Sequence, residues 1–355
     1  MKKKILAVAV AGAFAVPAFA NADSSVTLSG TLQTQIVGYG SYTDGAGNDI
    51  DSNVNMADAG GVMARGDGAG PNRLTFDVEH DLGGGLTALA RYNTDFNVAN
   101  ARQGLVQRDS YVGLAGDFGT ITAGRQATPY NTAGRDQMNA TFLQARTNAG
   151  RAGPLGGLGN GSFLNNVVAY SNDWGMVNFA GGVVIDNNDD SDSALSARLG
   201  FNVMEDLEIY GAYTHADDHS QVTSFLQGIN PNWTAGDARL GKIGVDWSQG
   251  PWSVMAEHER IDIETLGGNT VQDTREYFVQ GGYSMGQIDF VLSLGHTDDR
   301  SAAGNDSDYV GFATKYNFSN SVMAYAGIGY LDDDAMDSGN GDDTTSVGAG
   351  MRVSF

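Results

Sequence analysis

Apolar and polar residues alternate with period two over segments of about ten residues, and this pattern restricts the chain most. A β-strand sends successive side chains to opposite faces, and a tilted strand of that length crosses a bilayer. Near the N-terminus Val26, Leu28, Gly30, Leu32 and Ile36 alternate with Thr27, Ser29, Thr31, Gln33 and Gln35. At the other end Val347, Ala349, Met351, Val353 and Phe355 alternate with Ser346, Gly348, Gly350, Arg352 and Ser354. Seven tight turn signals lie between, at 81–85, 116–119, 173–175, 203–207, 248–251, 284–287 and 317–320. They alternate with eight longer polar connections, at 41–71, 97–107, 126–164, 186–192, 216–238, 263–273, 298–306 and 332–343. Seven turns and eight connections join sixteen strands, an even number that lets one sheet close and leave no edge in lipid.

The pattern therefore predicts an all-β fold, a transmembrane antiparallel β-barrel with short turns toward the periplasm and long loops outside. A water-soluble β-sandwich would bury its apolar faces inward, and no such core needs so many strands of one pattern. Aromatics flank the turns at Phe118, Trp174, Trp252, Tyr283, Tyr316, Phe318 and Phe355, and Tyr39, Tyr92, Phe96, Tyr213 and Tyr330 sit toward the loops. Two such belts mark the two membrane interfaces.

Lys2, Lys3 and Lys4 precede an apolar run from Ile5 to Val16, which Pro17 ends. This reads as a secretory signal peptide over 1–22, cut after Ala22, with 23–355 as one barrel domain. The run is too short to span a membrane. Removing 1–22 takes three lysines and no acid, so the net charge of −22 becomes −25. Nucleic-acid phosphates would repel such a chain. With no cysteine, the exported fold has no disulfide support.

Several segments resemble the trimeric general diffusion porins of Gram-negative outer membranes, across essentially the whole mature chain. They are Ser25-Val26-Thr27-Leu28-Ser29-Gly30, Arg73-Leu74-Thr75-Phe76 through Asp81-Leu82-Gly83-Gly84-Gly85-Leu86, and Tyr111-Val112-Gly113-Leu114 with Phe118-Gly119-Thr120 and Gly124-Arg125-Gln126. The closing Gly350-Met351-Arg352-Val353-Ser354-Phe355 also matches, and its terminal aromatic resembles the signal read by the barrel-assembly machinery. The resemblance implies a homotrimer in the cell outer membrane that passes ions and small hydrophilic solutes passively. It also implies a third loop, from residue 126 onward, folded into the pore against a ladder of basic wall residues.

Arg73 and Arg108 align with two ladder positions, and Arg91 points inward by parity; Arg125 is ambiguous, sharing parity with Ile121 and Ala123. Arg135 and Asp136 on the third loop complete the expected constriction. Thr31 and Ser171 stand where the family often has basic residues, so the ladder is thinned. The loop is itself net basic, because Asp136 is its only acid beside Arg135, Arg146 and Arg151. Aspartates crowd the other long loops, including Asp186, Asp189, Asp190 and Asp192, which predicts an acidic mouth and a weak cation preference opposed by the third loop.

No cofactor or metal is expected. The 186–192 run fails the calcium-loop template, with Ser191 at its sixth position and Ala197 at its twelfth. His215 and His219 lie in a loop without a further ligand cluster, and no G-x-S-x-G elbow occurs, so an enzyme is not expected. Looser Mg²⁺ or Ca²⁺ bridging to lipopolysaccharide, a partner together with outer-membrane lipid, stays open. A substrate-specific channel and an adhesive or structural barrel are the competing functions. Against the former, inward positions read mostly as Thr, Ser, Gly, Gln and Asn rather than as an aromatic slide.

Overall fold

The computed structural model describes residues 24–43, 49–57, 72–96, 98, 105–134, 136–144, 155–161, 163–187, 192–233, 236–301, 306–333 and 344–355. The expected signal peptide lies outside them. Sixteen long strands form one closed antiparallel barrel. They are β1 (Ser24–Tyr39), β2 (Arg73–Gly83), β3 (Leu86–Asp95), β4 (Val106–Gly116), β5 (Gly119–Gln126), β6 (Leu164–Asp173), β7 (Val177–Val184) and β8 (Ala194–Met204), then β9 (Leu207–Asp217), β10 (Gly236–Gln249), β11 (Trp252–Thr265), β12 (Thr270–Met285), β13 (Ile288–Asp299), β14 (Ser307–Ser319), β15 (Val322–Asp333) and β16 (Thr344–Ser354). Each strand pairs with its sequence neighbours, and β1 pairs with both β2 and β16, from Thr31 opposite Ser354 to Tyr39 opposite Ser346.

The alternation decides the two faces. Leu28, Leu32, Ile36, Leu199, Ile243, Leu294, Phe312 and Met351 are exposed on the outside, whereas Gln33, Gln35, Thr214, Gln280 and Ser293 are buried inside. The turn-side ring holds as expected, with Phe118, Trp174, Trp252, Tyr316, Phe318 and Phe355 all exposed outward.

Four details differ from the sequence reading. The connection expected over 263–273 is a tight one, since β11 runs to Thr265 and β12 starts at Thr270. The expected loop 216–238 contains a helix, α1 (Ser220–Ile229), whose Val222 and Leu226 are buried among Ala216, Ala238, Leu240, Ile261 and Ile263 inside the barrel mouth. Tyr39 leaves the outer belt for the lumen, where it packs with Met138, Phe142 and Leu143. Asp186, expected as a solvated loop acid, is buried and accepts a 2.7 Å hydrogen bond from Ser220 N. The last three share one cause: the barrel interior holds apolar loop segments, so inward positions that face them follow a core rather than water.

A short strand, Asn53–Ala57, extends the first loop along β1 and pairs with Gln35–Tyr39. Between this pairing and the β1–β2 ladder the edge is filled by Asn72, whose Oδ1 accepts from Gln33 N at 2.5 Å and whose Nδ2 donates to Gln33 O at 3.0 Å. The amide thus stands in for a missing strand residue.

Candidate functional site: the eyelet between the third loop and the β1–β4 wall

The chain leaves β5 after Gln126, turns at Pro129 and runs across the lumen, held at each step by inward side chains. Tyr130 N donates to Ser196 Oγ on β8 at 3.0 Å. Tyr130 OH donates to Glu259 on β11, and Asn160, on the returning arm, donates to Glu259 Oε2 at 2.6 Å. Lys242, its ammonium fully buried, lies 3.6 Å from Glu257 and 3.8 Å from Glu259, and sits 4.2 Å from the centre of the Tyr130 ring. Buried charges need such partners, because unpaired they cost several kcal/mol.

Further along, Gln137 N donates to Gln280 Oε1 at 2.8 Å and Gln137 Nε2 to Ser253 Oγ at 3.0 Å. At the tip Phe142 N donates to Gln35 Oε1 at 3.1 Å, Tyr309 OH to Leu143 O at 3.0 Å, and Arg352 to Asn139 O at 2.8 Å. The loop is therefore fixed to β8, β11, β12, β14, β16 and β1, and two apolar clusters seal it to the wall. The inner face of β2–β4 stays clear of these anchors.

That face carries the basic residues. Arg91 forms a two-pronged pair with Asp77, at 2.6 and 3.1 Å, and Arg108 pairs with Asp95 at 2.8 Å and lies over Phe163 of the third loop at 4.5 Å. Arg73, level with Asp95 on the next strand, is exposed to the lumen, and its guanidinium makes no hydrogen bond or ion pair among the described residues. Asp109 holds the loop's take-off by accepting from Ala127 N at 3.3 Å.

Of the residues expected at the constriction, the structure gathers Arg73, Arg91 and Arg108 on one wall. Arg125 follows a bulge at Gly124 and donates to Gln107 O at 3.0 Å and Asn165 Oδ1 at 2.9 Å, at the loop end of the wall. Asp136 turns to the opposite wall, accepting from Gln280 Nε2 at 2.8 Å and Met138 N at 2.8 Å. Arg135, Arg146 and Arg151 lie outside the described residues. Sequence reasoning missed the anchors Lys242, Glu257 and Glu259 and the wall residue Arg352. Their signal was present, since a lysine and two glutamates at inward parity on paired strands, Lys242 opposite Glu259, call for a polar partner in the lumen.

A family model described as Gram-negative porin matches residues 7–336. The chain belongs to the Gram-negative porin family. The major outer membrane protein P.IB of Neisseria gonorrhoeae is 25% identical over 350 residues, covering 93% of this porin and 94% of the relative. The P.IA protein of Neisseria meningitidis serogroup C is 43% identical over a shorter stretch of 63 residues, 17% of this chain and 16% of that one. Among solved structures, the anion-selective porin from Comamonas acidovorans superposes with a TM-score of 0.74 at 19% identity, over 94% of this porin and all of that chain. Outer-membrane expressed OmpT of Vibrio cholerae follows the same fold, with a TM-score of 0.67 at 14% identity over 96% of this chain and all of that one. This porin is thus an outer-membrane channel protein rather than an enzyme.

Proposed function

We propose that this porin is a general diffusion pore whose eyelet lies between the anchored third loop and the Arg73–Arg91–Arg108 wall. The observation that carries the reading is the placement of Arg73, a lumen-exposed guanidinium facing a loop held by neutral and buried groups. Solutes small enough to pass that gap cross by diffusion, without an aromatic track or a closed binding cage. A weak cation preference comes from acidic loops outside, set against a mixed wall in which Asp77 and Asp95 neutralise two of the arginines.

A second reading, an anion-preferring eyelet, is favoured by Arg73 and by Arg352, whose guanidinium bonds the neutral oxygens of Gln33 and Asn139. Reversal potential across a KCl gradient separates the two readings. Liposome swelling with sugars of graded size tests the pore itself: entry that falls smoothly with size supports general diffusion, one favoured sugar a specific channel, and no entry an adhesive barrel.

The reading includes export with loss of 1–22, insertion by the barrel-assembly machinery and assembly as a homotrimer. Outward charges support the trimer. Across β9–β15 the loop-side outer face carries Asp217, Asp237, Arg239, Arg260, Asp262, Asp273, Arg275, Asp298, Asp308 and Asp332, whereas that of β16 and β1–β8 carries only Arg125 among the described residues. The residues named on the charged arc are seven aspartates against three arginines, so lipopolysaccharide as the partner there calls for bridging Mg²⁺ or Ca²⁺ beside the arginines, and the apolar arc suits neighbouring subunits.

A further inference from the structure

Beneath the third loop, toward the short turns, the inner wall of β5–β10 opens into a chamber of about 740 Å³ roofed by Thr132, Ala133 and Gly134. The space exists because the inward positions of three adjacent strands are small: Thr120 faces Ser171 across β5–β6, and Ser171 faces Ala180 across β6–β7. Outer-membrane barrels turn their short connections to the periplasm, so the chamber lies on that side of the eyelet.

Its far wall is built rather than bare. Arg198 donates to Glu208 Oε1 at 2.7 Å and to Asn178 Oδ1, while Asn178 Nδ2 donates to the same carboxylate oxygen at 3.0 Å. The guanidinium lies 5.4 Å from the centre of the Tyr210 ring, and Tyr210 OH is fixed by Glu257 at 2.6 Å. Gly200 makes this platform possible, because a Cβ there would collide with Asn178, Glu208 and Arg198 together. Groups held by one another in this way need little rearrangement to receive a solute.

Charge indicates which solute. Glu208 stands directly opposite Asp246 on the neighbouring strand, both facing the chamber, and like charges so placed repel. With Asp173 the lining has three carboxylates against one guanidinium, a negative recess in low-dielectric walls that concentrates cations. Arg198 in the midst of these acids disfavours a bare metal ion, and no described group of three or more His, Asp or Glu is placed to hold one.

We propose that this chamber is a retention subsite for small polar solutes bearing a protonated amine, the ammonium lying between Glu208 and Asp246 and the hydroxyls on Asn178 and Asn202. The roof lies between two loop anchors, Tyr130 on Glu259 and Asp136 on Gln280, so an occupant touches the segment that bounds the eyelet and its stay interrupts the current.

The proposal rests on the pore reading, and one experiment addresses both. Channels in a planar bilayer are recorded in KCl alone, after which glucosamine or glucose is added to either side. Glucosamine on the short-turn side is expected to produce brief current interruptions that glucose does not. Asp246→Asn should shorten them about fivefold, the scale of one charge contact in a wet site. Gly200→Ser, which disrupts the platform, should abolish them while KCl conductance persists. If Gly200→Ser does not assemble, Asp246→Asn alone decides. Equal effects of the two sugars, or unchanged interruptions in Asp246→Asn, overturn the subsite and leave the pore intact. Absence of KCl conductance overturns the pore reading, and the subsite with it.

Discussion

Gly30 and Phe355 close the barrel: Gly30 N donates to Phe355 O at 2.9 Å, and Phe355 N donates back to Gly30 O at 3.0 Å. The Phe355 ring lies where a side chain at position 30 would go, because a Cβ there would come within 2.5 Å of the ring and 2.8 Å of Arg73 O. Backbone carbonyls cannot yield as a flexible side chain can. Gly30→Val is therefore expected to cost about 3 kcal/mol or more by overpacking the seam and to remove the heat-modifiable band on gels. Gly281→Ala, where a Cβ meets nothing within 4 Å, is the control and should migrate as wild type. A normal folded band for Gly30→Val would refute this account of closure.

The third loop depends on a buried network, so breaking one member should be worse than replacing several. Glu259→Ala removes the partner of Tyr130 and Asn160 and leaves the buried Lys242 with Glu257 as its carboxylate. A loss of about 3 kcal/mol in urea unfolding is expected, with noisier single-channel current as the loop loosens. The triple variant Lys242→Met/Glu257→Gln/Glu259→Leu should recover part of that stability, since it removes the buried ammonium together with both of its carboxylate partners. Equal destabilisation by both would show that charge burial is not what the network balances.

Selectivity should respond to Arg73 more than to Arg108. Arg73→Ala removes a lumen cation without leaving an acid unpaired, so the KCl reversal potential should move toward cation selectivity while stability changes little. Arg108→Ala instead strands the nearly buried Asp95 carboxylate, and a loss of about 2–3 kcal/mol should accompany any change in selectivity. Unchanged reversal potential in Arg73→Ala would remove it from the eyelet.

Most of the barrel was legible in the sequence because a period of two, bounded by turns, leaves little freedom in register or in which face meets lipid. Arg73 and Arg91 followed from the same parity, whereas Arg108 shares the parity of outward Val112 and reaches the lumen through a register shift between Tyr92 and Thr94. What parity could not supply was the content of the lumen. Tyr39 and Asp186 obey the local pattern of an interface aromatic and a solvated acid, yet each is buried by a segment distant in sequence, Met138–Leu143 for one and α1 for the other. Helix α1 was hidden for a related reason, being ten residues long and stabilised by the barrel wall rather than by its own propensity.

His219 makes that helix sensitive to acid. It is the N-cap of α1, its Nδ1 accepting from Gln221 N at 3.1 Å, and burial pushes its pKa below the usual histidine value while Asp186, 3.8 Å away, partly opposes the shift. A base whose folded pKa is depressed contributes fully above its unfolded pKa, near 6.5, and loses that contribution as pH falls below it. Protonation also removes the acceptor that caps the helix, worth about 1 kcal/mol. Hydrogen exchange of 220–229 should therefore quicken between pH 7.5 and pH 5, and His219→Asn, which keeps a cap without titrating, should abolish the change. Exchange that ignores pH in the wild type would refute it.

The outward charges on β10–β12 set up the last test. Arg260 stands directly opposite Arg275, a repulsive placement offset by Asp262, 2.8 Å from Arg260, and by Asp298 opposite Arg275. Arg239 faces Asp262 one strand away, and both Arg239 and Arg260 are half exposed. Toward the bilayer centre, the His258–Tyr277–His296 stack gives way to exposed Val279, Leu294 and Val310, so the arginines lie at headgroup height and the aliphatic residues at acyl height. Each basic residue near an anionic lipid surface contributes about 1 kcal/mol, so Arg260→Ala/Arg275→Ala should weaken binding to lipopolysaccharide vesicles about tenfold or more. The effect should shrink at high salt. Arg73→Ala, which removes an equal charge from the lumen, should leave vesicle binding unchanged. Equal losses from the two sites would mean that net charge governs the association rather than this belt.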